Sequence, residues 1–403
     1  MKKFKRIFAL FFCFLIAAGV LSGCGKAVSS SEVGTSTTET EKPLKVVTTI
    51  FPEYDWVRQI LGERAGNVEL TMLLDNGVDL HSYQPTADDI IKISDCDLFV
   101  YVGGESDGWV EDALKEATNK NMKVINLLDV LKDTVKTEEA VPGMQAEEGH
   151  NHGVADFADS DVKDRDLSDW NGEWQSAYPY ILDGTLDPVM EKKAESGTKT
   201  AEEYKDSSAM TGAEIADEML EHEEKEYDEH VWLSAKNAGT ICNAIAAALE
   251  EIDPANKEIY AANAKSYQEK LSALDAEYQS AVDNAARKTV LFGDRFPFRY
   301  LVDDYGLSYY AAFAGCSAES EASFETISFL AHKVDELNLP CVLTIEGAKH
   351  KIAETIVQNT VEKNQKILTL DSMQSTTTTD VENGTTYLSV MEDNLDILKQ
   401  ALN

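Results

Sequence analysis

Short runs of β-branched and large apolar residues recur along the first part of the chain, separated by stretches with helical spacing. Residues 46–50, 68–74, 98–102 and 124–127 are such runs. Their length and composition predict strands. Pro85, Thr86 and Asp88 open a segment in which Ile90, Ile91 and Ile93 predict a helix, and Gly103-Gly104 ends the third strand. Strands alternating with helices predict parallel βαβ units, buried on both faces.

The same rhythm returns near the other end. Residues 290–292, 309–313, 341–345 and 367–370 read as strands, with helices expected over 322–337, 349–362 and 387–401. Between the two α/β regions, Ser234 is placed to cap a helix through Ile241, Ile245 and Leu249. Pro254 then opens a pattern of Ile259, Tyr260, Tyr267, Leu271, Leu274, Tyr278 and Val282. That pattern runs for about 33 residues without a breaker, about 50 Å as a helix. The predicted fold class is α/β: two lobes of parallel sheet flanked by helices, joined by one long rigid helix, with ligand in the inter-lobe cleft. Ligands of such sheets bind outside the carboxyl ends of the strands.

Two segments break the pattern. Residues 136–227 are acidic, lack sustained periodicity and are too long for an ordinary connection, so they read as an insert. At the N-terminus, Lys2, Lys3, Lys5 and Arg6 precede an apolar stretch over 7–20, too short for a typical membrane span. Leu21-Ser22-Gly23-Cys24 follows and resembles a lipobox, which implies a signal peptide over 1–23 and a lipid on Cys24. A Ser/Thr-rich tether completes 24–43. The remaining boundaries are an N-terminal lobe over 44–235 containing the insert, helices over 236–287 and a C-terminal lobe over 288–403.

Formal net charge is −36, and removal of the basic signal makes it more negative. Such acidity argues against nucleic acid and against docking on anionic lipid by charge, leaving the lipid anchor as the membrane attachment. Cys96, Cys242, Cys316 and Cys341 are scattered, with no C-x-x-C pair. They leave room for one disulfide without fixing its partners.

Histidine usage points to metal. Of seven histidines, five fall between positions 81 and 230, and neutral imidazole is a common ligand of zinc-like ions. His81 lies in a loop after the second strand, Asp294 just after 290–292, Glu346 after 341–345 and Asp371 after 367–370. Any one acid could be a solvated loop residue or a cap. Their coincidence at strand ends with two histidines favours a site.

Residues 77–86, Gly-Val-Asp-Leu-His-Ser-Tyr-Gln-Pro-Thr, and 228–233, Asp-Glu-His-Val-Trp-Leu, resemble two signatures of the ZnuA/AdcA-type zinc- and manganese-specific solute-binding proteins of ABC transporters. The resemblance extends over the linking helix, over 387–395 and over most of 44–135 and 228–403. It implies two lobes braced by one helix with metal between them, and it carries over His81, His230 and Asp371 as ligands. The third ligand of that family aligns with Gly293, which has no side chain. Asp294, Glu346, water or an insert histidine are the candidates to replace it.

Within the insert, residues 147–152 (Glu-Glu-Gly-His-Asn-His) resemble a short form of the family's acid/His loop, making His150 and His152 accessory metal candidates. Residues 167–180, 182–188 and 200–205 resemble the opening of a ZinT-type zinc-binding domain. About 50 residues are too few to close a lipocalin-like barrel. His222-Glu223 lacks the second histidine of H-E-x-x-H, and no nucleophile motif is present. The expected protein is therefore no enzyme. It is a monomeric, lipid-anchored receptor on the extracytoplasmic face of a bacterial cell membrane, capturing zinc for an ABC permease. The alternatives are a manganese receptor, a surface adhesin on the same scaffold, or a metallohydrolase.

Overall fold

A computed structural model describes residues 42–145, 227–315, 321–347 and 350–403, with Leu186, Val189 and Lys192. Cys24, His150, His152, His222 and Cys316, together with the ZinT-like stretch except for Leu186, lie outside the described residues.

The first lobe contains β1 (Leu44–Thr48), α1 (Phe51–Leu61), β2 (Val68–Met72), α2 (Ala87–Asp95), β3 (Leu98–Tyr101), α3 (Val110–Lys115), β4 (Lys123–Asn126) and α4 (Leu127–Leu131). The chain then forms α5 (Ala235–Ile252) and the long α6 (Lys257–Asp283). The second lobe contains β5 (Thr289–Phe296), α7 (Arg299–Tyr305), β6 (Ser308–Ala314), α8 (Phe324–Leu337), β7 (Cys341–Thr344), α9 (Lys351–Asn359), β8 (Lys366–Thr369), α10 (Thr378–Glu382) and α11 (Tyr387–Leu402).

Both sheets are four-stranded and wholly parallel. Their orders are β2-β1-β3-β4 and β6-β5-β7-β8, the same topology twice. Connections leave β1 and β3 in opposite directions, and β5 and β7 likewise, so each lobe has a crevice at its carboxyl-end switch point.

Local chemistry sets the boundaries. The Thr86 hydroxyl accepts from Asp89 N and the Asp89 carboxylate takes Thr86 N, a capping box that starts α2. Ser234 caps α5 through Asn237 N, as its position predicts. Helix α6 has 27 residues, about 40 Å, shorter than its apolar pattern suggested. Pro254–Asn256 form a separate 3₁₀ turn, and the helix ends at Asp283 with Asn284 as its C-cap. Its buried face is Tyr260, Ala264, Tyr267, Leu271, Leu274, Tyr278 and Val282, while Ile259 is exposed. Spacings of three and four keep these residues on one stripe. That stripe holds both lobes: Asn263 Nδ2 donates to Ile60 O in the first, and Tyr278 OH to Met391 O in the second.

One continuous apolar core runs from the first lobe along α5 and α6 into the second. A smaller cluster around Leu291, Phe313, Leu330 and Ile356 packs β5 and β6 against α8 and α9 in the second lobe. Residues 136–145, expected as part of the first lobe's insert, lie along the second lobe. Lys136 N donates to Tyr300 OH, Gln145 N to Ala312 O, and Glu139 pairs with Arg299. Thr137 and Tyr227 form a bridge that brings the two ends of the insert together. Cys96, Cys242 and Cys341 are free and buried. No helix among the described residues is long and apolar enough to cross a membrane.

Candidate metal centre

His81 sits in a single 3₁₀ turn, Leu80–Ser82, after β2. Asp79 caps that turn by accepting His81 N at 3.0 Å. Gly77, at φ +78°, provides the left-handed bend that leads into it. His230 precedes the turn Val231–Leu233 in a run, 228–234, that is buried throughout. Trp232 fixes this run to the other lobe, its Nε1 donating to Ser372 O at 2.8 Å.

These two loops bring the imidazoles together. His81 Nε2 and His230 Nε2 are 3.2 Å apart, with ring planes inclined at 60°. Two metal–nitrogen bonds of about 2.0–2.1 Å at a tetrahedral angle would hold their nitrogens about 3.3 Å apart. The pair therefore fits a metal of that type. Each Nδ1 is occupied on the side away from the pair. His230 Nδ1 donates to Asp228 Oδ1 at 2.9 Å, and His81 Nδ1 lies 2.7 Å from Ser106 Oγ and 3.5 Å from Glu229 Oε2. With a proton on each Nδ1 the two Nε2 lone pairs would face each other, and a cation between them would relieve that opposition.

The electrostatics divide the pair. Burial, and then the neighbouring His230, push His81 down to about 3, so it stays neutral. Burial also opposes charge on His230, but Asp228, Glu229 and Glu138 outweigh it and hold its pKa above the ordinary value. Burial pushes Glu229 above the usual carboxylate range, against the hydrogen bonds from Ser106.

The second-lobe acids have different surroundings. Asp371 Oδ1 accepts Met373 N at 2.7 Å, and burial followed by repulsion from Glu346 raises it to about 6. Asn394 of α11 clamps the Asp371 backbone on both sides. Glu346 has both oxygens engaged, by Ser372 N, Ser372 Oγ and Gln374 N, and so braces the turn after Asp371. Asp294 accepts from Arg295 N and Ile345 N, tying β5 to the end of β7. Among the described residues, no group of three or more His, Cys, Asp or Glu side chains forms a metal-holding cluster. The structure thus brings His81 and His230 together without joining Asp371, Asp294 or Glu346 to them.

Gly293 has a packing reason. A Cβ there would lie 2.6 Å from Ala353 Cα and 2.8 Å from its Cβ, so α9 rests directly on the strand. The register then shifts between Phe292 and Arg295, and the Arg295 side chain crosses to Asp79. Gly315 also comes from the second lobe, and a Cβ on it would come within 3.0 Å of His230 Cε1. Sequence reading missed Ser106, Asp228, Glu229, Arg295 and Asn394. Asp228 and Glu229 lay inside a quoted motif, and their adjacency to His230 was the available signal.

A model of the family described as "Zinc-uptake complex component A periplasmic" (ZnuA) matches residues 46–401. The zinc-binding lipoprotein AdcA of Streptococcus pneumoniae serotype 4 is 29% identical over 359 residues, covering 89% of this chain and 55% of that protein. The chain thus spans about half the length of the AdcA relatives it matches. The high-affinity zinc uptake system protein ZnuA of Bacillus subtilis is 28% identical over 401 residues, covering 100% of this chain and 98% of that protein. Among solved structures, the Zn(II)-bound ZnuA-like domain of S. pneumoniae AdcA superposes with a TM-score of 0.57 at 24% identity, over 90% of this chain and 99% of that one. The laminin-binding protein Lmb of Streptococcus agalactiae, described as bifunctional with adhesin and metal-transporting activity, gives 0.58 at 20% identity, over 89% and 100%. These two likenesses establish the two-lobed fold, and the family match, spanning most of the sequence, establishes that this chain belongs to the ZnuA family.

Proposed function

We propose that this protein is an extracytoplasmic solute-binding lipoprotein that captures zinc between its lobes and delivers it to an ABC permease. The observation that carries the reading is the His81–His230 pair, with Nε2 atoms 3.2 Å apart and a carboxylate behind each ring. Imidazole nitrogen favours zinc over manganese, which prefers oxygen, and the stability order of divalent ions runs the same way. Asp371 is the second-lobe carboxylate assigned to complete the site. Burial and then repulsion from Glu346 raise it to about 6, so its charged form is disfavoured and a cation would relieve it. The protein acts by binding and release and needs no catalytic group. Attachment through Cys24 would keep it beside the permease, and a monomer suffices.

Titration of the full-length soluble form with Zn²⁺ and Mn²⁺, against chelators of known affinity, tests this. One tight zinc site is expected, lost in His81→Ala and in His230→Ala. Tight binding that survives both substitutions would overturn the assignment. Stronger retention of Mn²⁺ than Zn²⁺ would move the reading to a manganese receptor.

A further inference from the structure

Glu229 is buried, at 2% exposure, one position before His230. Its Oε1 accepts Ser106 N at 2.9 Å. Its Oε2 is buried and has no hydrogen-bond partner among the described residues. An unpaired buried carboxylate oxygen is costly and requires a reason. The group within reach is His81 Nδ1, 3.5 Å away, and the Ser106 hydroxyl that touches the same nitrogen at 2.7 Å. The backbone is shaped for this acid: Gly104 has φ +86°, and a Cβ there would fall on Glu229 Oε1.

Resting on the reading of His81 and His230 as ligands, we propose that Glu229 is the positioning residue of His81, holding its proton on Nδ1 so that Nε2 is presented to the metal. Asp228 already does this for His230. One dipeptide, Asp228-Glu229, therefore orients both imidazoles, although they come from loops 149 residues apart in sequence. A ligating histidine ordinarily gives its second N–H to such a group, and loss of that partner costs roughly 10- to 100-fold in metal affinity. The competing account is that Glu229 only caps the backbone at Ser106.

Three variants of the full chain separate these accounts, each read by zinc competition and by ¹⁵N–¹H NMR of the His81 ring in the metal-free protein. Glu229→Gln is expected to lose roughly 10- to 100-fold in zinc affinity and to lose the single Nδ1–H tautomer of His81. Ser106→Ala should lose less, and the double variant should lose less than the product of the two, because both act on one nitrogen. Should Glu229→Gln fail to fold, Glu229→Asp keeps the charge but draws the oxygen away, and the same loss of tautomer is expected. Wild-type affinity and an unchanged tautomer in either Glu229 variant, while His81→Ala loses zinc, would overturn the proposal and leave the ligand assignment standing. Wild-type zinc binding by His81→Ala would overturn both.

Discussion

Arg295 in the second lobe donates through Nη2 to Asp79 Oδ2 in the first at 3.0 Å, while the other oxygen of Asp79 holds His81 N at 3.0 Å. One carboxylate thus ties the lobes together and caps the turn that carries a candidate ligand. Both side chains are about a quarter exposed, so the pair adds at most about 1 kcal/mol to stability.

Its charges should matter more for binding than for folding. Asp79→Asn removes a negative charge beside His81 and leaves the guanidinium uncompensated, so zinc affinity should fall about tenfold. Arg295→Met removes a positive charge that opposes any cation at His81, so affinity should rise several-fold. Calorimetry at low and high salt checks both. The effects should shrink as salt screens them, and equal losses in the two variants would contradict the charge argument.

The pH dependence of metal-free stability should carry a His81 component of known sign. In the unfolded chain this histidine takes its proton near 6.5, whereas in the folded protein it does so at about 3. Between those values the unfolded state holds the extra proton, so stability falls as pH falls through that window. His230 has the opposite sign: its raised value adds stability that is lost as pH rises through it. Urea midpoints from pH 7 to 4 for wild type and His81→Gln should converge toward acid. A constant gap would show that folding leaves His81 unperturbed.

Gly293→Ala should destabilise by about 1–3 kcal/mol, because its methyl meets Ala353 on α9. Gly293→His, which places on this strand the imidazole that the resemblance led one to expect there, should destabilise further and gain no zinc affinity. Thermal unfolding and zinc competition give the two readings, and tighter zinc binding in Gly293→His would show that α9 gives way.

Replacing residues 146–226 with a short flexible linker should preserve the tight site. Gln145 is held by Ala312 and Ser323, and Tyr227 is bridged to Thr137, so the residues flanking 146–226 are anchored by contacts outside that segment. His81, His230 and Asp371 all lie outside it. Weak additional zinc binding should disappear with His150 and His152. Measured stoichiometry decides the matter, and loss of the tight site in a folded deletion protein would place a primary ligand in the insert.

The amino-acid sequence by itself determined the two parallel sheets, the stripe of α6 and the His81 and His230 loops. Each of these follows from local periodicity, from caps such as Ser234 and Thr86, or from a short motif. It could not determine which acids face the histidines. The expected strand 290–292 runs on to Phe296, so Asp294 lies inside β5 rather than at its end, while Glu346 and Asp371 do follow β7 and β8. All three acids accept backbone N–H groups, from Arg295 and Ile345, from Ser372 and Gln374, and from Met373. A carboxylate's partner is chosen by backbone groups that meet only when β5, β7 and β8 pair. Gly293 reads along the chain as a missing ligand, and in three dimensions it is the contact that lets α9 sit on the sheet. The Arg295–Asp79 and Glu229–His81 relationships span 216 and 148 positions and depend on a register shift in β5 and a left-handed Gly104. Such long-range polar pairings leave no periodic trace in a sequence, because they are fixed by where packed loops come to rest.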